Sequence, residues 1–130
     1  IMRNEEVESE TRIYDRSFCQ FATMAHGFRA AARLLQNYQD RHKLRTTREI
    51  IRRWAPENEN NTEAYISNVC ERTHMAPDDC LLLHKPWDLT HLVFAMCAQE
   101  CGVRYSPYVD DYLMDAWQEA CKMLEKEGRL

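Results

Sequence analysis

The stretch TTREIIRRWAPENENNTEAYI, residues 46–66, carries the signals that begin one helix, end it and begin another. Thr46 followed three residues later by Glu49 is a capping-box pattern, in which each side chain bonds the backbone of the other residue. Pro56 disfavours the helical conformation in the residue before it, so the first helix must end there. Asn60, with a Glu three residues later, repeats the capping pattern. The stretch therefore predicts a corner between two helices.

Apolar residues at helical spacing recur on both sides of this corner, whereas alternating strand patterns are nearly absent. One helix is expected after Thr23 as N-cap and runs to about Lys43. Another begins around Pro86 and ends before Gly102. The last helix is predicted to start with Ser106 as N-cap and Pro107 at its first position. Its expected apolar face comprises Val109, Tyr112, Leu113, Ala116, Ala120, Met123 and Leu124.

The size and composition of the chain fit one helical domain. Of its 130 residues, 45% are hydrophobic and 29% are charged, which is enough apolar material for a core. We expect an all-α fold, a compact single domain of about five helices over residues 18–130. An N-terminal segment, 1–17, precedes it, and because the chain opens on Ile1 we leave open whether that segment is complete.

The charge and hydropathy of the chain exclude several classes of partner. The net charge is −4, so we expect no global attraction to nucleic acid or to anionic lipid. The cations of residues 41–53 are interpreted as a solvated helix face, with a polyanion-binding site and a helical protein-interaction module as the alternatives. No apolar run reaches the roughly 18 residues of a membrane span, and the chain carries no export signal. We therefore expect a soluble protein.

The cysteines and glycines give no indication of a metal or cofactor site. The six cysteines do not form the pattern of a disulfide-stapled secreted protein. Because Cys97 and Cys101 lie in an apolar helical stretch, and Cys19 and Cys121 in similar surroundings, we expect buried reduced thiols. Cys70 with His74 and Cys97 with Cys101, each pair four residues apart, leave a zinc site as an alternative without a CxxC knuckle. Three glycines are too few for a phosphate-binding loop. No cofactor and no metal are expected.

Several strings together resemble a small family of phage-encoded virion structural proteins and their relatives in bacterial prophages. The similar strings are Phe18-Cys19-Gln20-Phe21, Gly27-Phe28-Arg29-Ala30, Leu34-Leu35-x-x-Tyr38, Thr47-Arg48-Glu49-Ile50-Ile51, Arg53-Trp54-Ala55-Pro56 and Glu59-Asn60-Asn61-Thr62-x-x-Tyr65-Ile66. The resemblance spans residues 18–105. It implies a phage-related protein, associated with the virion or cytoplasmic at synthesis, with other virion proteins as partners.

Members of this family are suspected of degrading peptidoglycan. The chain lacks the family's Asn-Pro-Gly-Asn turn, and it has Gln99-Glu100-Cys101-Gly102 where the family has His-Glu-Asn-Gly or Val-Glu-Asn-Gly.

Glu100 is the candidate catalytic residue. It lies in the last turn of an apolar helix, where the negative end of the helix dipole and partial burial both raise the pKa of a carboxyl group. A raised pKa suits the general acid of glycoside cleavage, and a Glu at a helix end is similar to the arrangement in lysozyme-like folds. The alternative is a non-catalytic, exposed acid at the helix end, paired with Arg104.

Further residues are candidates for the same site. Glu59 in the corner, with Glu57 as a further candidate, is the second acid that a glycosidase would need, whereas a lytic transglycosylase would work with one. Substrate-binding candidates are Trp54, Asn58, Asn60, Tyr65 and Tyr105. For Trp54 the alternative is a plug in the core, and for the tyrosines it is packing.

The leading hypothesis is a lysozyme-like or lytic transglycosylase-like protein that cleaves peptidoglycan glycan strands with Glu100 as general acid/base. The alternatives are a non-enzymatic virion or prophage structural protein and a helical protein-interaction module.

Overall fold

The computed structural model of the chain describes residues 23–58, 60–102, 108 and 110–130. Within these ranges the chain forms five α-helices: α1 (Met24–His42), α2 (Thr47–Trp54), α3 (Thr62–Thr73), α4 (Pro86–Cys101) and α5 (Asp111–Lys126). No strand occurs in the described ranges, where Thr46 and Cys80 form an isolated antiparallel bridge. The predicted all-α, single-domain fold is confirmed.

Side-chain caps confirm the predicted starts of α1 and α2. The Thr23 hydroxyl accepts a hydrogen bond from the His26 N–H at 3.1 Å. At the start of α2 the Thr46 hydroxyl accepts from the Glu49 N–H, and the Glu49 carboxylate accepts from the Thr46 N–H, each at 3.2 Å. This is the predicted capping box. The helix then ends at Trp54, as the proline two residues later requires.

The start of α3 lies one residue beyond its predicted position. Asn61, rather than Asn60, is the N-cap, and its side-chain oxygen accepts from the Ala64 N–H at 3.2 Å. The Asn60 amide instead donates to the Pro56 carbonyl at 3.2 Å, which stabilises the turn. Adjacent asparagines offer the same capping chemistry, so the sequence pattern did not distinguish them.

The predicted start of α5 is wrong. Asp110 is the N-cap of this helix, and its carboxylate accepts from the Leu113 N–H at 3.2 Å. A carboxylate at this position satisfies a first-turn donor and interacts favourably with the positive end of the helix dipole. Ser106 and Pro107, from which the helix was expected to begin, lie outside the described residues.

The helices share one apolar core, in which α1 packs against α5 and α3 against α4. Trp117 of α5 is only 3% exposed, and its ring makes edge-to-face contacts with Phe28 at 5.9 Å and Phe94 at 5.7 Å between centroids. Trp117 was not among the core residues predicted from the sequence. Tyr112 was expected in the core but is 59% exposed. Of the other residues predicted for the apolar face of α5, Leu113, Ala120 and Leu124 are fully buried.

Candidate functional site

A carboxylate and two aromatic side chains meet where α2 ends, α3 begins and α4 ends. The Tyr65 hydroxyl donates a hydrogen bond to Oε1 of Glu100 at 2.9 Å. The indole N–H of Trp54 donates to the same oxygen at 3.1 Å. We call these three residues the Glu100 cluster. All three were predicted from the sequence to belong to one site.

The corner predicted from the sequence brings these side chains together. Trp54 is the last residue of α2 and packs, half-buried, against the core. The Thr62 hydroxyl donates to the carbonyl of Ala55, which holds the start of α3 beside the end of α2. Tyr65, in the first turn of α3, is therefore buried near Trp54, and Glu100 approaches from the penultimate position of α4.

The hydrogen bonds of the cluster limit what the Glu100 carboxyl can do. An indole N–H only donates, and here the tyrosine hydroxyl also donates, so Oε1 accepts two hydrogen bonds. Both donors also fix the orientation of the carboxylate. The arrangement suits a carboxylate that ties three helices together, or one that is held in place to exchange a proton.

The two other predicted site residues that the structure describes are Asn58 and Asn60, and neither is among the donors to Glu100. Asn58 is exposed in the corner, and the Asn60 amide is engaged with the Pro56 carbonyl. Glu59 and Tyr105 lie outside the described residues, and so does Arg104, the alternative partner of Glu100.

Beside the cluster, a second polar contact joins α3 to α4. The Arg72 guanidinium donates to the side-chain oxygen of Gln99 at 3.2 Å. Gln99 precedes Glu100 in the last turn of α4, so consecutive residues of this turn each bind a side chain of α3. The end of α4 is thereby held on α3 by polar contacts as well as by the core.

Comparison with known proteins places the chain beside a phage protein. The chain is 48% identical over 59 residues to Protein P5 of Pseudoalteromonas phage PM2. The match covers 45% of this chain and 37% of the length of that protein. No family profile matches the chain. The predicted relationship to phage proteins is thus supported, whereas the lysozyme-like, peptidoglycan-degrading part of the hypothesis has no support from this relative.

Two arginines of residues 41–53 form ion pairs with acidic side chains, and a third lies over an aromatic ring. Arg48 contacts Asp78 at 3.0 Å, and Arg52 contacts Glu63 at 2.9 Å. The guanidinium of Arg53 lies 5.4 Å from the centre of the Tyr38 ring. These contacts fit the predicted solvated helix face.

In the described part of the chain, no three His, Cys, Asp or Glu side chains gather as a metal site would require. Of the cysteines of the alternative zinc site, Cys97 and Cys101 are buried in the core and Cys70 is partly buried. No helix among the described residues has both the length and the apolar character to cross a membrane.

An exposed aromatic surface, which the sequence analysis missed, lies at the start of α4. Trp87 is 73% exposed, and its ring centroid lies 4.2 Å from that of His91. Nδ1 of His91 is 3.1 Å from the Tyr108 hydroxyl, and the Tyr108 ring packs edge-to-face on Phe94 at 5.0 Å. We call Trp87, His91 and Tyr108 the Trp87 surface. The spacing of Trp87 and His91, four residues apart on one helix, was the available signal.

Proposed function

We propose that the chain is a non-enzymatic component of a phage particle, and that it packs against another particle protein through the Trp87 surface. The observation that carries this proposal is the exposure of Trp87. Its side chain is 73% exposed, the largest value among the exposed large hydrophobic residues of the described chain. Tyr108, which is 46% exposed, is linked to Trp87 through His91, so the exposed aromatic surface is contiguous. Contiguous exposed apolar surface marks sites of contact with partners.

The contacts of Trp87 favour a protein partner because they hold the ring in place before binding. The indole lies against His91, which contacts the Tyr108 hydroxyl, and Tyr108 rests on Phe94 in the core. A ring that is already ordered loses little conformational entropy on binding. Tryptophan and tyrosine are also the residues that most often dominate the energy of protein interfaces.

The relationship to phage proteins supports a partner that belongs to the phage particle. The chain matches part of a phage protein, and its motifs resemble those of virion structural proteins. A partner within the particle follows from this context, and an apolar, aromatic contact suits a lasting assembly better than a charged one.

The test is whether the chain enters phage particles through this surface. Particles would be purified on a density gradient from cells in which the gene and its neighbours are expressed, with wild type, Trp87→Ala and Leu34→Ala compared. Leu34 is a matched control because it is an apolar residue, 42% exposed, on α1 rather than α4. We expect wild type and Leu34→Ala in the particles and at least about a tenfold loss of Trp87→Ala.

Each other outcome contradicts part of the proposal. If wild-type protein is absent from the particles, the structural role is wrong. If Trp87→Ala enters as well as wild type, the role stands but the surface is wrong. Circular dichroism of both variants establishes that any loss is not due to unfolding.

The Glu100 cluster favours a second candidate, and we propose it as the alternative: cleavage of peptidoglycan glycan strands with Glu100 as general acid/base. Its support is that Trp54, Tyr65 and Glu100 converge, with the carboxylate oriented by two hydrogen bonds. An oriented carboxylate is the minimum requirement for proton transfer to or from a glycosidic oxygen. Glu59 stays the candidate second acid.

Release of soluble muropeptides from purified peptidoglycan tests this alternative. If it is correct, wild-type protein releases fragments and Glu100→Gln does not, whereas Glu119→Gln, an exposed acid on α5, releases as much as wild type. The reducing or anhydro ends of the products separate hydrolysis from transglycosylation. No release by folded wild-type protein, in an assay where a lysozyme is active, rules out glycan cleavage.

A further inference from the structure

Most of the exposed large hydrophobic residues in the described part of the chain belong to the Trp87 surface or adjoin it. Trp87 and Tyr108 are members of that surface. Leu82 is 60% exposed, and its N–H donates at 2.8 Å to the carboxylate of Asp88, the residue after Trp87. Tyr112 is 59% exposed and lies in the first turn of α5, four residues after Tyr108. The exposed apolar area is therefore larger than the Trp87 surface alone.

Charges of opposite sign flank the two sides of this apolar area. Lys85, two residues before Trp87, is exposed at the start of α4. Asp111, three residues after Tyr108, is exposed at the start of α5. The ring centroid of His91 lies between those of Trp87 and Tyr108, at 4.2 Å and 6.4 Å from them. The area thus has a cationic end at Lys85 and an acidic end at Asp111.

The neighbouring carboxylates do not cancel this separation of charge. The Asp88 carboxylate accepts a backbone N–H of the preceding turn. The Asp110 carboxylate accepts a first-turn N–H of α5 as its N-cap. None of the ion pairs among the described residues includes Lys85 or Asp111. The charges at both ends are consequently available to a partner.

We propose that the Trp87 surface pairs with the same surface of a second copy of the chain, about a two-fold axis. This inference rests on the proposed function, in which the Trp87 surface binds a particle protein, and it names that protein as a second copy. In a two-fold interface a surface faces itself, so each contact between two different residues occurs twice. The axis places Lys85 of each copy opposite Asp111 of the other, with the aromatic side chains between the two pairs.

Charge complementarity favours a second copy over an unrelated protein. A partner needs an apolar centre flanked by charges in the reverse order, and the two-fold copy of this surface meets both requirements. Aromatic contacts at the centre supply most of the affinity, whereas charges at the rim fix the orientation of the two copies. Exposed ion pairs contribute little individually, but in this arrangement each pair occurs twice.

The test is sedimentation velocity of the full chain at concentrations from about 1 μM to 1 mM, a range that covers weak and moderate affinities. We expect wild type to dimerise and Trp87→Ala to weaken dimerisation by at least about tenfold. Lys85→Glu and Asp111→Lys should each weaken it by at least about fivefold, because each change turns two attractive pairs into two repulsive ones. Lys122→Glu, a change of an exposed lysine further along α5, should dimerise as wild type does.

Exchange of the two charges separates a specific pair from a general effect of charge. The double variant Lys85→Glu/Asp111→Lys contains both pairs with their signs reversed, so it should dimerise nearly as strongly as wild type. An equal mixture of the two single variants should also recover, because their heterodimer contains two attractive pairs. Circular dichroism and urea unfolding establish that each variant is folded.

The proposal is overturned if wild type stays monomeric up to about 1 mM, or if Trp87→Ala dimerises as well as wild type. Failure of both the double variant and the mixture to recover overturns the two-fold pairing. The particle experiment fails or succeeds separately. A monomeric wild type together with loss of Trp87→Ala from particles would keep the proposed function and exclude a second copy as the partner. A dimer that depends on Trp87 but is absent from particles would support the pairing and contradict the particle role.

Discussion

The Tyr65 hydroxyl donates a 2.9 Å hydrogen bond to Glu100, across the contact between α3 and α4. The indole N–H of Trp54, on α2, donates to the same oxygen, so one carboxylate oxygen of α4 is hydrogen-bonded to both α2 and α3. Hydrogen bonds to charged groups are stronger than those between neutral groups, and they polarise each other when they share an acceptor. The Glu100 cluster therefore has a structural role in the domain whether or not the carboxylate also acts in catalysis.

We expect Tyr65→Phe to destabilise the domain by about 1 kcal/mol, because it removes a hydrogen bond to a half-buried carboxylate. Glu100→Gln should cost a similar amount, since the amide oxygen accepts a weaker bond. The double variant should cost about 0.5 kcal/mol less than the sum of the single variants, because the two residues interact. Urea unfolding followed by circular dichroism measures all three. Strictly additive effects would show that the Tyr65 hydroxyl bonds the Glu100 carboxylate no more strongly than it bonds the amide of Gln.

The corner could be predicted from the sequence because its signals are local. A capping box and the conformational effect of Pro56 act over at most four residues, and both are observed. The same locality made Trp54, Tyr65 and Glu100 plausible members of one site, since each lies at a helix end. Their common oxygen could not be predicted, because it depends on how three helices pack.

Other features were not predicted correctly from the sequence, for equally physical reasons. Asp110 competes with Ser106 as an N-cap, and residue preferences alone do not rank two such signals four residues apart. Tyr112 and Trp117 are both aromatic residues of α5, yet one is 59% exposed and the other 3%. Which of them enters the core is decided by Phe28 and Phe94 on other helices. The Trp87 surface was missed because exposure is a property of the packed domain.

Asn61 and Asn60 provide a test of the corner in which one residue is the control for the other. Asn61→Ala removes the N-cap of α3, so it should destabilise the domain by about 1 kcal/mol. Asn60→Ala removes only a hydrogen bond to a turn carbonyl at an exposed site, so its cost should be about 0.5 kcal/mol or less. Thermal or urea unfolding compares them. The reverse order would mean that Asn60 caps the helix, as the sequence pattern had indicated.

The cysteines should differ in reactivity according to their burial. Burial raises the pKa of the Cys121 thiol to about 11, and the negative charge of Glu125 acts in the same direction. Cys80 is exposed. Because the thiolate is the reactive form, we expect iodoacetamide at pH 8 to label Cys80 at least about ten times faster than Cys121.

Peptide mass spectrometry of samples quenched over time measures both rates in one experiment. In denaturing urea the two rates should converge, since the difference arises from the folded structure. Equal rates in the native protein would mean that Cys121 is accessible.

The acid side of the stability profile should depend on Glu127. Its carboxylate accepts hydrogen bonds from the Arg29 guanidinium, and this contact holds the pKa of Glu127 below its ordinary value of 4.5. A lowered pKa in the folded state means that the charged form stabilises folding. The contribution is complete above the ordinary pKa, and it is lost as the pH falls through the lowered value.

Glu127→Gln should therefore reduce stability by about 0.5 kcal/mol at neutral pH, as exposed ion pairs do, and by nothing near pH 2. Urea unfolding at both pH values measures this difference, with Glu119→Gln, an exposed acid on α5, as the control. A loss that is the same at both pH values would show that the Arg29 contact does not carry the effect.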